Sequence, residues 1–352
     1  MLNVEYITNK IKNIIFSSGF DLVGISEAQR LEDYAHLEKW IEYGYQGDMK
    51  YMENALKRSD VRKIDDSFKS VISCAINYNS INNEVSSSKA EEQSLGWISR
   101  YAMGEDYHYI IKKMLKSISH KIEDLFECKP QIRYYVDTGP VLERAYAGIS
   151  GIGWIGKNSC LINKDIGSWI FLSEILIDQV LQYDCDVKDM CGTCTKCIDS
   201  CPTNAIVMDK VIDSNKCISY LNIENKKYIS DDLAKRFANN IYGCDICQEV
   251  CPWNKKAKLT NLKIFSPRPK FRPPDLVTLL SDVEKNWETL KIKSPIKRVK
   301  KEGMIRNILI VMGNTGDTNY IPILERYLVS KDKIYVRTAR DSIQRIQNTI
   351  GS

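Results

Sequence analysis

The chain has 352 residues, 43% hydrophobic and 27% charged, with a formal net charge of +5. That is the composition of a soluble globular protein long enough for two or three domains. No apolar run approaches the roughly 18 residues of a membrane span, and the N-terminal segment lacks a secretory signal's apolar core and cleavage site. The expected setting is cytoplasmic, where structural disulfides are rare, so the twelve cysteines call for another explanation.

In chain order, Val4, Ile7, Ile11 and Ile14/Ile15 recur at helical spacing and predict an amphipathic first helix. SVISCAINYN (70–79) reads as a short buried strand, SSSKAEEQS (86–94) as a polar loop, and QIRYYVDTG (131–139) as a strand ending in a turn. Gly151-x-Gly153-x-x-Gly156 matches the bare string of a dinucleotide loop. The residues after it, KNSCLINKDIGSWIF, read as turn and strand, whereas nucleotide binding needs a following helix. A proline-rich linker, SPRPKFRPP (266–274), precedes three helical segments at 305–317, 320–329 and 336–346. The Ile305-Arg306 and Val336-Arg337 pairs lie one HEAT-like repeat apart, and so short an array is expected to pack on the body.

Eight of the twelve cysteines fall within 191–251. Cys191-x2-Cys194-x2-Cys197-x3-Cys201-Pro202 is the bacterial ferredoxin run, in which the fourth cysteine ligates the neighbouring 4Fe–4S cluster. Cys244-x2-Cys247-x3-Cys251-Pro252 repeats the ending without the first cysteine, and Cys217 is the obvious supplier of the missing thiolate. The crossover assigns Cys191, Cys194, Cys197 and Cys251 to one cluster, and Cys201, Cys217, Cys244 and Cys247 to the other. Zinc is the competing reading, since CxxC pairs also make zinc knuckles. Three cysteines at two-residue gaps and two Cys-Pro endings favour clusters. Cys74, Cys128, Cys160 and Cys185 are expected to be ordinary small hydrophobes.

Two basic blocks point to a polyanion, against the plainer reading of a solvated face. Lys255 to Arg272 carries seven Lys/Arg and no acid, and Lys291 to Arg306 carries seven against Glu302 alone. Tyr220, Trp253 and Phe271 are nearby aromatic candidates for stacking on bases, or else core.

The segments ISRYAMGEDYH (98–108), VDTGPVLERAYA (136–147), GIGWIGKNSCLI (151–162), GSWIFLSEIL (167–176), the cysteine array and SYLNIE (219–224) together resemble the epoxyqueuosine reductase family. The resemblance spans nearly the whole chain, and Asn222 departs from it where a threonine is expected. It implies an α+β multidomain enzyme with an α/β cobalamin-binding catalytic domain (1–180), a two-cluster ferredoxin-like module (181–265) and an α-helical HEAT-like tRNA-binding region (275–352). The implied reaction reduces epoxyqueuosine to queuosine at the tRNA wobble position, the last step of queuosine synthesis. Base-off cobalamin is implied to be fed by the clusters and by an external low-potential donor, in a monomer.

By the same resemblance Asp137 is the catalytic acid, its carboxyl expected to be buried and raised towards neutrality. Arg100, Tyr101, His108, Asp137, Lys157, Asn158, Ser159, Ser168, Trp169 and Ser173 are implied at the cobalamin. The expected grip on the anticodon stem-loop is Lys297, Arg298, Lys300 and Lys301. Asp106-Tyr107-His108 begins a cobalt-ligating D-x-H-x-x-G string, but Ile111 replaces its glycine. A base-off group without a protein ligand is therefore expected. The alternatives are a reductase related to the reductive dehalogenases and a non-catalytic iron–sulfur electron carrier.

Overall fold

The computed structural model describes residues 3–53, 55–82 and 85–350. Helix α1 (Val4–Ser17) starts where Asn3 accepts hydrogen bonds from the Glu5 and Tyr6 N–H groups. It buries Ile7, Ile11 and Ile15, one per turn. Strands β1 (Leu22–Glu27) and β2 (Ser70–Asn77) follow, and every residue of β2 is buried. Helix α2 (Tyr107–Glu123) is capped by Asp106, which accepts from the His108 N–H. Strand β3 (Ile132–Tyr135) leads through the Asp137 turn into helix α3 (Glu143–Ile149), and β4 is Ile170–Ile177.

These strands form one sheet in the order β1-β2-β4-β3, and every pairing is antiparallel. The expected α/β architecture of this domain is thereby corrected to α+β. Parallel strands would need a helical crossover between neighbours, and here the long connections run over the sheet faces instead. One face meets α1 and α2 through Ile72, Ile175 and Ile177. The other meets α3 through Val71, Ala145 and Leu176.

The glycine-rich stretch ends in a small hairpin, Trp154–Ile155 against Leu161–Ile162, and no helix follows it. A Cβ on Gly153 would lie 2.2 Å from the Ile162 carbonyl oxygen, so glycine is required there for hairpin closure. Residues 86–94, expected as a loop, hold a short helix, Ser87–Glu92. The Ser86 hydroxyl caps it, and Glu249 accepts from both the N–H and the hydroxyl of Ser87.

The C-terminal region packs α4 (Leu276–Leu290), α5 (Lys300–Asn314), α6 (Ile321–Leu328) and α7 (Lys333–Ile350). Helix α5 is central and is buried from Met304 to Gly313. Its core is shared, because Trp97, Ile98, Ile241 and Tyr242 join the α4, α5 and α6 side chains in one cluster. Trp97–Ile98 also pairs with Asn240–Tyr242 in parallel, which fastens the first third of the chain to the cysteine-bearing segment. Arg306 is buried and donates to the carbonyls of Leu221, Asn225 and Lys227. Arg337, its sequence counterpart, is exposed and lies over the Tyr228 ring. Among the described residues no helix is long and apolar enough to cross a membrane.

Candidate active site and thiol centres

The eight array cysteines separate into two groups. Cys191, Cys194, Cys197 and Cys251 line one cavity of about 260 Å³, walled by Lys157, Asn158, Ile162 and Trp253. Trp154 stands edge-on to Trp253 behind it. Cys217 and Cys244 pack instead against Tyr220, Leu221 and Phe237. Burial pushes the Cys244 and Cys247 thiols up, and Cys201 and Cys217 are among the thiols beside each. No three His, Cys, Asp or Glu side chains among the described residues converge on a single-ion site. All twelve cysteines are free of disulfides.

Cys160 was expected to be inert filler, yet it lies between the groups. Burial drives its thiol up to about 12, and its neighbours include Cys197 and Cys251 of one group and Cys217 of the other. Asn222, the departure from the family pattern, is fully buried. Its side chain donates to the Asn240 and Gly243 carbonyls and accepts from the Gly243 N–H. It therefore clamps the backbone immediately before Cys244.

Asp137 follows β3 at a left-handed φ of +57°. Its Oδ2 lies 3.1 Å from both the Tyr107 hydroxyl and His108 Nε2. His108 Nδ1 lies 2.8 Å from Asp106 Oδ1, and Lys297 Nζ lies 2.6 Å from Asp106 Oδ2. The result is an unbroken polar chain, Lys297–Asp106–His108–Asp137. Burial opposes charge on His108, but the hydrogen bonds from Asp106 and Asp137 prevail and raise it to about 9. Asp106 falls to about 2, because bonds to His108 and Lys297 outweigh its burial.

The expectation of a buried, raised Asp137 carboxyl is corrected. Its side chain is 57% exposed. Its partial desolvation is outweighed by the His108 hydrogen bond and charge, which hold the carboxyl below its usual range. The raised acids stand behind it: burial and the Asp137 charge drive Glu143 up to about 7, and burial raises Glu174 strongly. Sequence reasoning missed both, because Glu174 comes from the middle of a strand and its environment is set by distant segments.

Other expected site residues fall in five places. Tyr101 is edge-on to Tyr107 and tilted against Tyr242, which joins the Asp137 region to the Cys244 strand. Lys157, Asn158 and Ser159 lie at the thiol cavity or beside it: Lys157 pairs with Asp209, Asn158 donates to the Cys247 carbonyl, and Ser159 donates to the Lys210 carbonyl. Ser168 is tied to Gln248 and Asn254. Arg100 and Trp169 are buried against each other, with Arg100 donating to Asn79, Ile81 and Val85. Ser173 is sealed within the sheet on the face towards α1 and α2, so it presents no surface to a ligand.

The four basic candidates are not a uniform exposed patch. Lys297 is paired with Asp106, Arg298 with Glu224, and Lys301 donates to the Glu284 carbonyl. The Lys300 backbone N–H donates to the Lys297 carbonyl, but its side chain makes no hydrogen bond or ion pair with another described residue. The guanidinium of Arg298 lies over Tyr51 and is close enough to Asp137 to stabilise its charge. Tyr51, 49% exposed, is an aromatic that sequence reasoning missed. The aromatics it favoured are spoken for: Phe271 and Tyr220 are buried, and Trp253 walls the thiol cavity.

Residues 58–138 match the family model described as Epoxyqueuosine reductase QueG, DUF1730, and residues 190–254 match the 4Fe-4S double cluster binding domain. An epoxyqueuosine reductase of Cyclobacterium marinum is 43% identical over 324 residues, covering 88% of this chain and 98% of that protein. The Escherichia coli epoxyqueuosine reductase is 36% identical over 315 residues, covering 89% and 82%. A crystal structure of an epoxyqueuosine reductase with an epoxyqueuosine-modified tRNA-Tyr stem loop superposes with a TM-score of 0.88 at 26% identity, covering 98% and 91%. A Bacillus subtilis epoxyqueuosine reductase, with its catalytic-aspartate loop swung out of the active site, gives 0.86 at 26% identity over 98% and 91%. The chain belongs to the epoxyqueuosine reductase family and is an oxidoreductase with an iron–sulfur double-cluster domain.

Proposed function

We propose that this protein reduces epoxyqueuosine to queuosine in the anticodon stem-loop of tRNA. One observation carries the reading: Lys297 of the basic segment and Asp137 are the two ends of a single hydrogen-bonded chain. Polyanion-facing charge and acid–base chemistry therefore meet at one place. Converting the epoxide to an alkene breaks two C–O bonds and forms one C=C bond. It takes up two electrons and two protons, and the oxygen leaves as water.

The thiols in their two crossed groups of four would hold the 4Fe–4S clusters, and the cavity lined by Cys191, Cys194, Cys197 and Cys251 fits a polynuclear group. Base-off cobalamin in the N-terminal domain would supply low-potential electrons to the epoxide. The residues fit a cobalt without a protein ligand, since both ring nitrogens of His108 are engaged by carboxylates. Tyr101, Ser168 and the 157–159 loop are the chain's groups for lining it. Asp137 rests ionised beside the raised His108, so it is placed to pass the His108 proton to the departing oxygen rather than to hold one of its own. Arg298 and Tyr51 flank the same opening, offering a phosphate partner and a stacking face. The helices after the linker would form the HEAT-like support of this basic segment.

The test uses anaerobically purified holoprotein with a chemical reductant and a stem-loop RNA carrying epoxyqueuosine. Mass spectrometry should show loss of one oxygen, and electron paramagnetic resonance should show both cluster and cob(II)alamin signals. Clusters without cobalamin binding or turnover would reassign the protein as an electron carrier.

A further inference from the structure

The carboxylate of Asp137 is held by His108 and Tyr107, but its backbone is held separately. The Asp137 N–H donates to Glu143 Oε1 at 2.6 Å. An aspartate at φ +57° persists only where its surroundings impose the conformation. Glu143 opens α3, and behind it lies Glu174, in the centre of β4 with 0% exposure. Glu174 pairs in register with Ser73 and Tyr135, which puts its side chain on the sheet face that carries α3.

Neither carboxyl oxygen of Glu174 has a hydrogen-bond partner of good geometry among the described residues, and the Glu143 carboxyl is the group within reach of it. An ionised carboxylate buried in that state would cost several kcal/mol, so Glu174 is protonated. The groups facing the pair are Asp137 from the turn and His108 and Tyr107 from α2, whereas Cys74 of β2 lies on the other face of the sheet. After burial, Glu143 is the largest influence on Glu174.

We propose that Glu143 and Glu174 form a one-proton carboxyl pair that positions Asp137, with the proton on Glu174 and the ionised Glu143 clamping the Asp137 N–H. This rests on the reading of Asp137 as the proton donor. Glu143 is a positioning residue, because it meets the backbone of the turn and not the substrate. A charged acceptor holds an N–H more strongly than a neutral one, so the clamp weakens as pH falls through about 7, where Glu143 takes up its own proton. The swung-out aspartate loop of the Bacillus subtilis relative is the kind of excursion such a clamp would oppose.

Hydrogen exchange of the 136–142 turn in the reconstituted holoprotein, corrected for intrinsic pH dependence, tests the pair without needing turnover. Glu143→Ala should speed exchange at the Asp137 amide about tenfold to a hundredfold, the size of a lost charge-assisted bond. Glu143→Gln keeps an acceptor without a titration, so it should retain part of the protection and lose its pH dependence near 7. Glu174→Gln can still donate to Glu143 and should exchange like the unaltered protein. Unchanged exchange in Glu143→Ala, a surviving pH step in Glu143→Gln, or lost protection in Glu174→Gln would each overturn the pair. In turnover assays Glu143→Ala should lower kcat with KM for the stem-loop unchanged. Absence of turnover in the unaltered protein alongside the expected exchange pattern would defeat the functional reading and leave the clamp standing.

Discussion

Around Cys191 and Cys251 the walls are mostly apolar: Trp154, Ile162 and Trp253 close on the thiols, with Lys157 and Asn158 at the side. Around Asp137 the neighbours are a tyrosine hydroxyl, an imidazole, a lysine-linked carboxylate and a buried acid pair. The first region keeps four soft ligands at fixed places beside apolar side chains. The second keeps charge mobile, with neighbouring groups displaced in opposite directions: His108 up to about 9, Asp106 down to about 2 and Glu143 up to about 7. Such opposed displacements mark where protons are handled. On the proposed reading electrons and protons have separate quarters, and the Tyr107–Tyr101–Tyr242 contacts lie between them.

The separation can be broken from either side. Cys217 is the thiol most remote from the two dense motifs, yet it packs beside Cys244. Cys217→Ala should abolish turnover and reduce bound iron by about half, since one of two clusters loses a ligand. Iron content equal to the unaltered protein would remove Cys217 from the ligand set. Asp137→Asn makes the complementary cut. It should lower turnover by about 10²- to 10⁴-fold, the usual range for losing a general acid, while leaving cluster spectra intact. A spectral change there would mean that the two regions are not separable.

The regions also differ in how far they could be read in advance. Thiol spacing is local: a run of eleven residues must wrap a cubane, so Cys191 to Cys201 announces its purpose in one line of sequence. Even Cys217 could be inferred, because a cluster with three ligands is incomplete. The turn at Asp137 was legible only as a turn, and its role came from family resemblance. The protonation was misjudged, since Lys297, Asp106 and His108 are joined across 189 to 191 residues of sequence by tertiary packing alone. Glu174 is hidden for the same reason: a carboxylate inside a run like IFLSEILI gives no sign of which face it takes until the register is known. The α1 face and the buried strand β2 were readable because periodicity suffices for them. The antiparallel order of the sheet was not, because pairing depends on contacts far apart in sequence.

His108 gives a finer test of the proton side. The raised imidazolium stabilises the folded protein fully below its ordinary value, and that contribution is lost as pH rises through about 9. If its proton reloads Asp137, turnover should decline on the alkaline side near pH 9. His108→Gln should lower the plateau about tenfold and remove that limb. A limb that persists in the variant would assign it to another group. Asp106 behaves oppositely, its contribution being lost only as pH falls towards about 2.

A smaller effect is expected at the rim. Among the four basic candidates, the Lys300 side chain alone has no partner among the described residues. Lys300→Glu should weaken stem-loop binding about threefold to tenfold, with a shallower salt dependence, and should leave melting unchanged. Lys297→Glu would confound binding with the loss of the Asp106 pair, so equal effects from the two substitutions would argue that the chain to Asp137 matters little for RNA affinity.

The smallest effect on turnover is expected from Asn222, where the consequence is structural. Its amide satisfies three backbone groups of residues 240–243 in a fully buried setting. Asn222→Ala leaves all three unpaired and should cost about 2–3 kcal/mol, since buried unsatisfied groups cost about 1–3 kcal/mol each and relaxation recovers part of that. Asn222→Thr restores the residue expected from the family pattern, but a hydroxyl has one proton and cannot serve both carbonyls. It should therefore cost about 1 kcal/mol. In both variants the thermal midpoint should fall while kcat at moderate temperature and iron content hold. If Asn222→Thr instead shed iron as readily as Cys217→Ala, the backbone before Cys244 would be part of the cluster's support rather than of the fold's, and the line between the two regions would have to be drawn one strand further out.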